Sequence, residues 1–378
     1  TAGRDLDYGA LNYARLEAEG PQQWPYVSAR TDSVRLYQDG IFPTDSGRAQ
    51  FMDVGYTPVA DLVSAQYPLR LTTGRLRDQW HTMNRTGLVP VLTRHEEEPR
   101  LHLHPADMQR LKIGNDTLVR VKSRRGEIIV PALRDPDLKP GPAFMPMHWG
   151  SAFMSGDGVN ALSNSIGDPI SHQPELKHSA IGIERLNYAW QASAWIRGPS
   201  AALRQRLGKW LNSFPYAVVL PTAIGTEGVR LRLASPVKAD ITALQALVDD
   251  LNLSQPDVAF DDPARGVIRR IRRSGPGLGA FLLAGDVRAE AALLQWADDG
   301  KAPGNISLVL MGRTKPPVRT HIVCACENVS EDAISRAIQA GQNLAEIQAV
   351  LKCGTGCGSC VAQIRRMIQD HATTELTA

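Results

Sequence analysis

All five cysteines of this 378-residue chain lie in one C-terminal segment, and residues 1–323 contain none. The segment holds a Cys-x-Cys pair, a single cysteine and a Cys-x-x-Cys pair: Cys324, Cys326, Cys353, Cys357 and Cys360. Structural cysteines are usually scattered, because a small apolar side chain fits at many places in a core. The odd count also disfavours a framework of disulfides. The clustering therefore predicts a metal site.

Two kinds of metal site use four thiolates, namely a structural zinc ion and a [2Fe-2S] cluster. A single residue separates Cys324 from Cys326. Zinc knuckles usually have about two to four residues between such ligands, so the short spacing favours iron. Gly354, Gly356 and Gly358 would let backbone N–H groups approach the sulfurs, where hydrogen bonds raise the reduction potential.

Short helices are predicted to hold the two cysteine loops. Ser330 is a favourable N-cap for the first helix, which ends at Gly341, and apolar residues recur at helical spacing over 344–350. A third helix follows the last cysteine and has an apolar face of Val361, Ile364, Met367 and Ile368. The pattern predicts a small all-α domain over residues 321–378, which a bound metal would stabilise.

The chain before this segment is long enough for further domains. Short apolar runs at 69–72, 118–121, 127–133 and 143–147 are separated by turn residues. They predict a small closed β-barrel or sandwich over residues 67–185. A doubly wound parallel sheet is disfavoured, because helical patterns do not alternate with the strands. Residues 1–66 are expected to form an irregular lead-in, and residues 186–320 an α+β linking domain.

Composition excludes several classes of partner. The 42 basic and 39 acidic residues are well mixed and give a net charge of +3, so we expect no nucleic-acid partner. No stretch approaches the roughly 18 consecutive apolar residues of a membrane helix, and the first residues do not resemble a signal peptide. The expectation is a soluble, cytoplasmic protein with no membrane partner, in a compartment where thiols stay reduced.

Two polar stretches in the predicted barrel carry groups that suit an extended, phosphate-bearing ligand. Residues 72–87 follow an apolar strand and combine hydroxyls, a glycine and three arginines. Residues 160–177 offer amide and carboxylate groups that could bind the edge of a base. On composition alone, a polar loop over the barrel explains these residues equally well. His102 and His104 share a face of a possible strand, but a zinc site there has no third ligand nearby.

Several motifs follow one another along this region. They are Thr73-Gly74-Arg75, Trp80-His81-Thr82-Met83, Leu103-His104-Pro105-Ala106-Asp107 and Gln173-Pro174-Glu175-Leu176-Lys177. Their order is similar to the molybdopterin-dinucleotide-binding domain of molybdopterin oxidoreductases, over about residues 30–185. The resemblance implies a double-psi β-barrel that binds molybdopterin guanine dinucleotide. It also implies the cofactor-binding residues, which are Thr73, Gly74, Arg75, His81, Thr82, Asn160, Gln173 and Lys177.

The cysteine pattern resembles bacterioferritin-associated-ferredoxin-like [2Fe-2S] domains. The resemblance implies that the cluster ligands are Cys324, Cys326, Cys357 and Cys360. Cys353 is then left over, and we expect a buried or half-exposed thiol that does not bind the cluster. Replacement of a ligand by Cys353 under redox stress is the less favoured alternative.

Together these parts resemble the C-terminal portion of a bacterial assimilatory nitrate reductase. Such a protein would accept electrons at its cluster from a reductase, a ferredoxin or a flavodoxin, and would pass them to molybdenum, where nitrate is reduced to nitrite. No residue of this chain is predicted to be catalytic or to bind molybdenum. Missing N-terminal domains are expected to supply these groups, residues 1–66 to be the tail of a preceding molybdopterin domain, and this chain alone to be inactive.

Two other functions remain open at the level of the sequence. The first is a stand-alone iron–sulfur electron-transfer adaptor without catalytic activity, in which the barrel is retained as a docking surface. The second is a molybdopterin oxidoreductase for another substrate, such as formate.

Overall fold

The computed structural model describes residues 7–23, 25–26, 37–53, 55–224, 226–313 and 321–377. Parts of the predicted lead-in, and the junction between the predicted linking and C-terminal domains, lie outside these ranges. The chain divides into two units, Thr1–Pro58 and Val59–Ala378. The first contains helix α1 (Tyr13–Glu19), which begins after Asn12, whose side chain accepts a hydrogen bond from the N–H of Arg15. None of the helices in the described ranges combines the length and apolar character needed to cross a bilayer.

A closed six-stranded barrel opens the second unit. Its strands are β1 (Leu69–Gly74), β2 (Leu101–Leu103), β3 (Leu118–Lys122), β4 (Glu127–Arg134), β5 (Pro142–Pro146) and β6 (Ser179–Arg185). Their order around the barrel is β1-β5-β2-β4-β3-β6, and β6 closes the ring by pairing with both β3 and β1. The β1–β5 and β2–β4 pairs are parallel, whereas the other pairs are antiparallel. The closed barrel predicted for this region is confirmed.

Alternate residues of the strands fill the barrel interior, as expected when one face of a strand is buried. Leu69 and Leu71 of β1 and Leu101 of β2 are almost completely buried. At the end of β1, Gly74 lies against the ring of Phe144 on β5, and a Cβ atom at Gly74 would be only 2.8 Å from that ring. Glycine is therefore required where these two parallel strands pair.

An antiparallel six-stranded sheet follows the barrel. Its strands are β7 (Trp190–Arg197), β8 (Tyr216–Ile224), β9 (Thr226–Ser235), β10 (Val258–Asp262), β11 (Val267–Ser274) and β12 (Gly277–Ala284), in the order β10-β11-β12-β7-β9-β8. Helix α2 (Pro105–Leu111) lies between β2 and β3 of the barrel. The helices of the sheet region are α3 (Ser200–Leu207), α4 (Ile241–Asp250), α5 (Glu290–Asp299) and α6 (Ile306–Leu310). On β7, Ala194 packs in the core that contains Leu244 of α4, and Trp195 in the core that contains Leu293 of α5. Helices thus cover both faces of this antiparallel sheet.

The C-terminal segment, residues 321–377, is called the cluster module below. It consists of β13 (Ile322–Cys324), β14 (Val329–Ser330), α7 (Glu331–Gln339), α8 (Leu344–Leu351) and α9 (Val361–Thr377). The prediction of an all-α domain is not confirmed, because a two-stranded sheet precedes the helices. Val323 and Val329 are β-branched and pack from this hairpin against Ile334 and Ile364, while Asn328 makes the turn with a φ of 53°. The hairpin places Cys324 beside the helices.

Candidate cofactor and cluster sites

The end of β1 is attached to the loop that precedes β6. Thr73 Oγ1 donates a hydrogen bond of 2.8 Å to the carbonyl of Leu176, and Lys177 Nζ donates one of 2.6 Å to the carbonyl of Thr73. Thr73 and Lys177 are 104 positions apart in the sequence, and the structure brings them into contact. Two of the predicted cofactor-binding residues therefore share one site, with Gly74 next to them.

The segment between β1 and residue 83 is held by a buried histidine. His148 Nε2 accepts a hydrogen bond of 2.8 Å from the N–H of Leu76, so His148 Nδ1 carries the proton and donates to the carbonyl of His81 at 2.5 Å. Burial lowers the pKa of His148, which keeps the ring neutral. His81 and Met83 have left-handed backbone angles, with φ of 45° and 59°. His148 thus fixes a strained loop whose predicted ligand-binding residues, Arg75, His81 and Thr82, are exposed.

The second polar stretch forms a tight local turn. The carboxylate of Asp168 accepts hydrogen bonds from the N–H groups of Ile170 and Ser171, at 3.0 and 2.7 Å. Asn160 and Gln173 lie on either side of this turn with exposed side chains. The hydrogen bonds in the described part of the chain do not connect either side chain to β1, so their assignment as cofactor-binding residues stays a prediction.

The cysteine sulfurs of the cluster module lie close to one another. Cys326 Sγ is 3.8 Å from Cys324 Sγ and 3.6 Å from Cys357 Sγ. Two thiolates on one tetrahedral metal ion, with metal–sulfur bonds of about 2.3 Å, are about 3.8 Å apart, so these spacings suit shared iron ligation. Cys324 and Cys360 are buried, whereas Cys326 and Cys357 are exposed. In the described ranges, no three His, Cys, Asp or Glu side chains form a group that could hold a single metal ion.

A glycine supports the second cysteine loop. Gly354 has a φ of 76°, and a Cβ atom there would lie 2.7 Å from Val361 Cγ2 and 3.7 Å from Cys360 Sγ. Both the backbone angle and the lack of space exclude other residues. Cys353, immediately before it, is fully buried in the apolar cluster that also contains Cys324 and Cys360. Burial raises the pKa of the Cys353 thiol, as expected of a packed and unreactive cysteine.

One of the arginines predicted to bind phosphate contacts the cluster module. Arg77 donates hydrogen bonds to Gln363 Oε1, at 2.5 Å, and to the carbonyl of Val323. Beside it, Asp78 Oδ1 accepts a hydrogen bond of 3.1 Å from Ser359 Oγ. Sequence patterns could not identify these contacts, which join residues between 246 and 286 positions apart.

The two histidines considered for zinc have separate roles. His102 lies between Asp135, at 3.0 Å, and Glu96, at 3.2 Å, and the hydrogen bonds and charges of these carboxylates raise the pKa of His102 to about 9, against the effect of burial. His104 Nδ1 accepts a hydrogen bond of 3.1 Å from the N–H of Ala106, at the start of α2 (Pro105–Leu111). The imidazolium of His102 lines a cavity of about 1120 Å³ between the barrel, helix α5 and the cluster module.

Two protein-family descriptions match the chain. Residues 69–180 match the "Molydopterin dinucleotide binding domain", and residues 322–370 match the "BFD-like [2Fe-2S] binding domain". These ranges coincide with the barrel and the cluster module. The chain therefore carries a molybdopterin oxidoreductase-type domain together with a [2Fe-2S] domain, and the two predicted cofactors are confirmed.

Several curated proteins are similar to this chain. A nitrate reductase from Klebsiella oxytoca is 30% identical over 397 residues, which cover 97% of this chain and 41% of that protein. A nitrate reductase from a Synechocystis species is 39% identical over 48% of this chain and 26% of its own length. An F420-dependent formate dehydrogenase subunit alpha from Methanocaldococcus jannaschii is 37% identical over 47% of this chain and 26% of its own length. The chain thus spans less than half the length of these relatives.

Proposed function

We propose that this chain is the C-terminal part of a molybdenum nitrate reductase, which binds the pterin dinucleotide in its barrel and carries electrons through a [2Fe-2S] cluster. The observation that carries this proposal is the extent of the similarity to the Klebsiella nitrate reductase, which covers 97% of the chain and therefore includes both cofactor domains. The formate dehydrogenase relative covers 47% of the chain, so it supports formate as a substrate less strongly.

Reduction of nitrate to nitrite consumes two electrons and two protons and releases one water molecule. When bound, the molybdenum cofactor supplies the oxygen-atom transfer and the cluster supplies electrons one at a time. The barrel residues hold and orient the cofactor. Gly74 leaves its backbone open to a close ligand, and the exposed Arg75 and the ammonium group of Lys177 supply positive charge for phosphates. His81 and Thr82 add exposed polar groups on the loop that His148 fixes.

In the cluster module, Cys324, Cys326, Cys357 and Cys360 would hold the iron atoms. The measured sulfur spacings and the glycine at position 354 fit this role. Because Cys326 and Cys357 are exposed, the cluster would have an edge open to an electron donor such as a reductase, a ferredoxin or a flavodoxin.

The proposal includes an organisation into four parts. These are residues 1–66, the tail of a preceding molybdopterin domain; 67–185, the pterin-binding barrel; 186–320, the linking domain; and 321–378, the cluster module. Segments of a longer protein would supply the molybdenum ligand and the remaining walls of the active site. The coverage of 41% of the Klebsiella nitrate reductase supports this arrangement.

One experiment separates the proposal from its alternatives. The chain is purified anaerobically, and iron, acid-labile sulfide and bound guanine dinucleotide are measured. We expect equal amounts of iron and sulfide and retention of the dinucleotide. A cluster without any affinity for the dinucleotide would favour the stand-alone electron-transfer adaptor, and zinc without sulfide would refute cluster binding.

The substrate is tested on a protein that also contains the preceding domains. With reduced viologen as donor, nitrate should be consumed and formate should not be oxidised. If the 378-residue chain alone reduced nitrate, its assignment as one part of the enzyme would be wrong.

A further inference from the structure

The segment between β1 and residue 83 is called the cofactor loop below. The barrel and the cluster module meet at two consecutive residues of this loop. Arg77 and Asp78 follow Gly74 by three and four positions. Because one residue spans at most about 3.6 Å, the Cα atoms of Gly74 and Arg77 are within about 11 Å of each other. The same short segment is tied to the barrel by His148 through Leu76. We propose that Arg77 and Asp78 position the cluster module on the cofactor loop and tune the reduction potential of the cluster in opposite directions.

Arg77 contacts residues next to both cysteine pairs. One end of its guanidinium donates to the carbonyl of Val323, the residue before Cys324, and the other donates to Gln363, three positions after Cys360. The side chain is only 20% exposed, so water screens its charge weakly. Reduction adds one negative charge to a [2Fe-2S] cluster. A cation held at this place therefore stabilises the reduced form and raises the potential.

Asp78 lowers the potential for two reasons, which are its buried charge and its hydrogen bond with Ser359. Its side chain is 5% exposed, and its Oδ2 atom, which has no hydrogen-bond partner among the described residues, lies 3.6 Å from Arg77 Nε. A buried negative charge beside the cluster disfavours the addition of an electron. Asp78 Oδ1 also accepts a hydrogen bond from the hydroxyl of Ser359, whose oxygen lies 3.2 Å from Cys357 Sγ.

Ser359 has a single hydroxyl proton for two acceptors. When Cys357 is an iron-bound thiolate it can only accept, so the hydroxyl donates either to this sulfur or to Asp78. A hydrogen bond to a ligand sulfur raises the cluster potential. While the Asp78 carboxylate accepts this hydrogen bond, the hydroxyl of Ser359 does not donate to Cys357. The charge of Asp78 and its hydrogen bond therefore both lower the potential.

This inference rests only on the cluster-binding part of the proposed function. The test compares the 378-residue chain with R77Q and D78N, which conserve shape and remove one charge each. The midpoint potential is measured by redox titration, with the electron paramagnetic resonance signal of the reduced cluster as the readout. We expect the equilibrium constant for one-electron reduction to fall about tenfold in R77Q and to rise about tenfold in D78N, which corresponds to 59 mV in each direction.

Two further variants test the contribution of the Ser359 hydrogen bond to the potential and control for the loss of an arginine charge elsewhere. The neutral amide that D78N introduces is a weaker acceptor than the carboxylate, so the Ser359 hydroxyl should donate to Cys357 more often in D78N. The double variant D78N/S359A should therefore show a smaller rise than D78N, because it lacks this hydroxyl. Arg70 is an exposed arginine on the same strand as Thr73, and R70Q is the matched control that should leave the potential unchanged.

A failure of the tuning role can be distinguished from a failure of cluster binding. Absence of iron and sulfide from the unmodified chain would refute cluster binding itself. A cluster that is present, with potentials that stay constant or move in the same direction in R77Q and D78N, would overturn the tuning role. Loss of the cluster from both R77Q and R77K would also overturn it, because Arg77 would then be required for folding of the module.

Discussion

A buried carboxylate between the barrel and the antiparallel sheet gives the most direct test of the fold. Glu98 is fully buried. Its Oε1 accepts hydrogen bonds of 2.8 Å from Arg100 and Arg232, and its Oε2 accepts bonds of 2.7 Å from Arg232 and 3.2 Å from Tyr216. The substitution E98Q keeps the shape, but it removes the charge and turns an NH2 group toward a guanidinium. A buried Arg232 would then lack its counter-charge.

The expected cost follows from this geometry. Removing one partner of a buried ion pair typically lowers the free energy of unfolding by about 3–5 kcal/mol, because the remaining charge stays desolvated. We expect E98Q to lower the stability of the barrel–sheet junction by that amount at pH 7. Glu184 provides the matched control. It pairs with Arg120 at 3.0 Å but is 54% exposed, so E184Q should cost less than about 1 kcal/mol.

The pH dependence adds an independent check. The nearby arginines hold the pKa of Glu98 below its usual range despite the opposing effect of burial. A carboxyl whose folded pKa is lowered stabilises the fold above its unfolded pKa, about 4.3, and this contribution is lost as the pH falls further. The stability difference between the natural protein and E98Q should therefore be full at pH 7 and shrink below about pH 4. Calorimetry and urea unfolding measure it, and a difference under about 1 kcal/mol at pH 7 would refute the reasoning.

Three further predictions concern single residues. The pKa of His102 is raised to about 9, so the stability that its charge contributes is present below about pH 6.5 and is lost as the pH rises toward 9. In thermal unfolding curves, H102Q should remove this pH dependence and D135N should weaken it. G74A should displace the ring of Phe144 and lower both the melting temperature and the binding of the pterin dinucleotide, because the added Cβ would be 2.8 Å from the ring. C353S should retain iron, sulfide and the visible spectrum, and loss of the cluster would make Cys353 a ligand.

Local patterns were sufficient for much of the architecture. Strand β1 has alternating burial and lies between turn residues, and helix α7 begins after Ser330, the N-cap expected from the sequence. Strands β6 and β7 could not be predicted in this way. The apolar residues of β6 are few, namely Ala180, Ile181 and Ile183, and the segment becomes a strand because β1 and β3 supply partners on both sides. In β7, small residues such as Ala192 and Ala194 give a weak signal, although the strand is central in its sheet.

The candidate pterin site was only partly readable from the sequence. The resemblance to the dinucleotide-binding domain predicted Thr73, Gly74 and Lys177 as cofactor-binding residues, and in the structure Lys177 contacts Thr73, the neighbour of Gly74. The importance of His148 for the loop was not predictable, because its role depends on two backbone groups, at Leu76 and His81, that carry no signal in the sequence.

Arg77 shows that neighbouring residues of one motif can contact different parts of the molecule. By position it belongs with Arg75, and composition alone groups both with the phosphates of a dinucleotide. The backbone turn after β1 leaves Arg75 exposed, whereas Arg77 reaches Val323 and Gln363. The residues after β1 therefore join the candidate pterin site, at Gly74, to residues that flank Cys324 and Cys360. Any movement of the cluster module would act on the residues after Gly74, so we expect the cluster module and the candidate pterin site to be mechanically coupled.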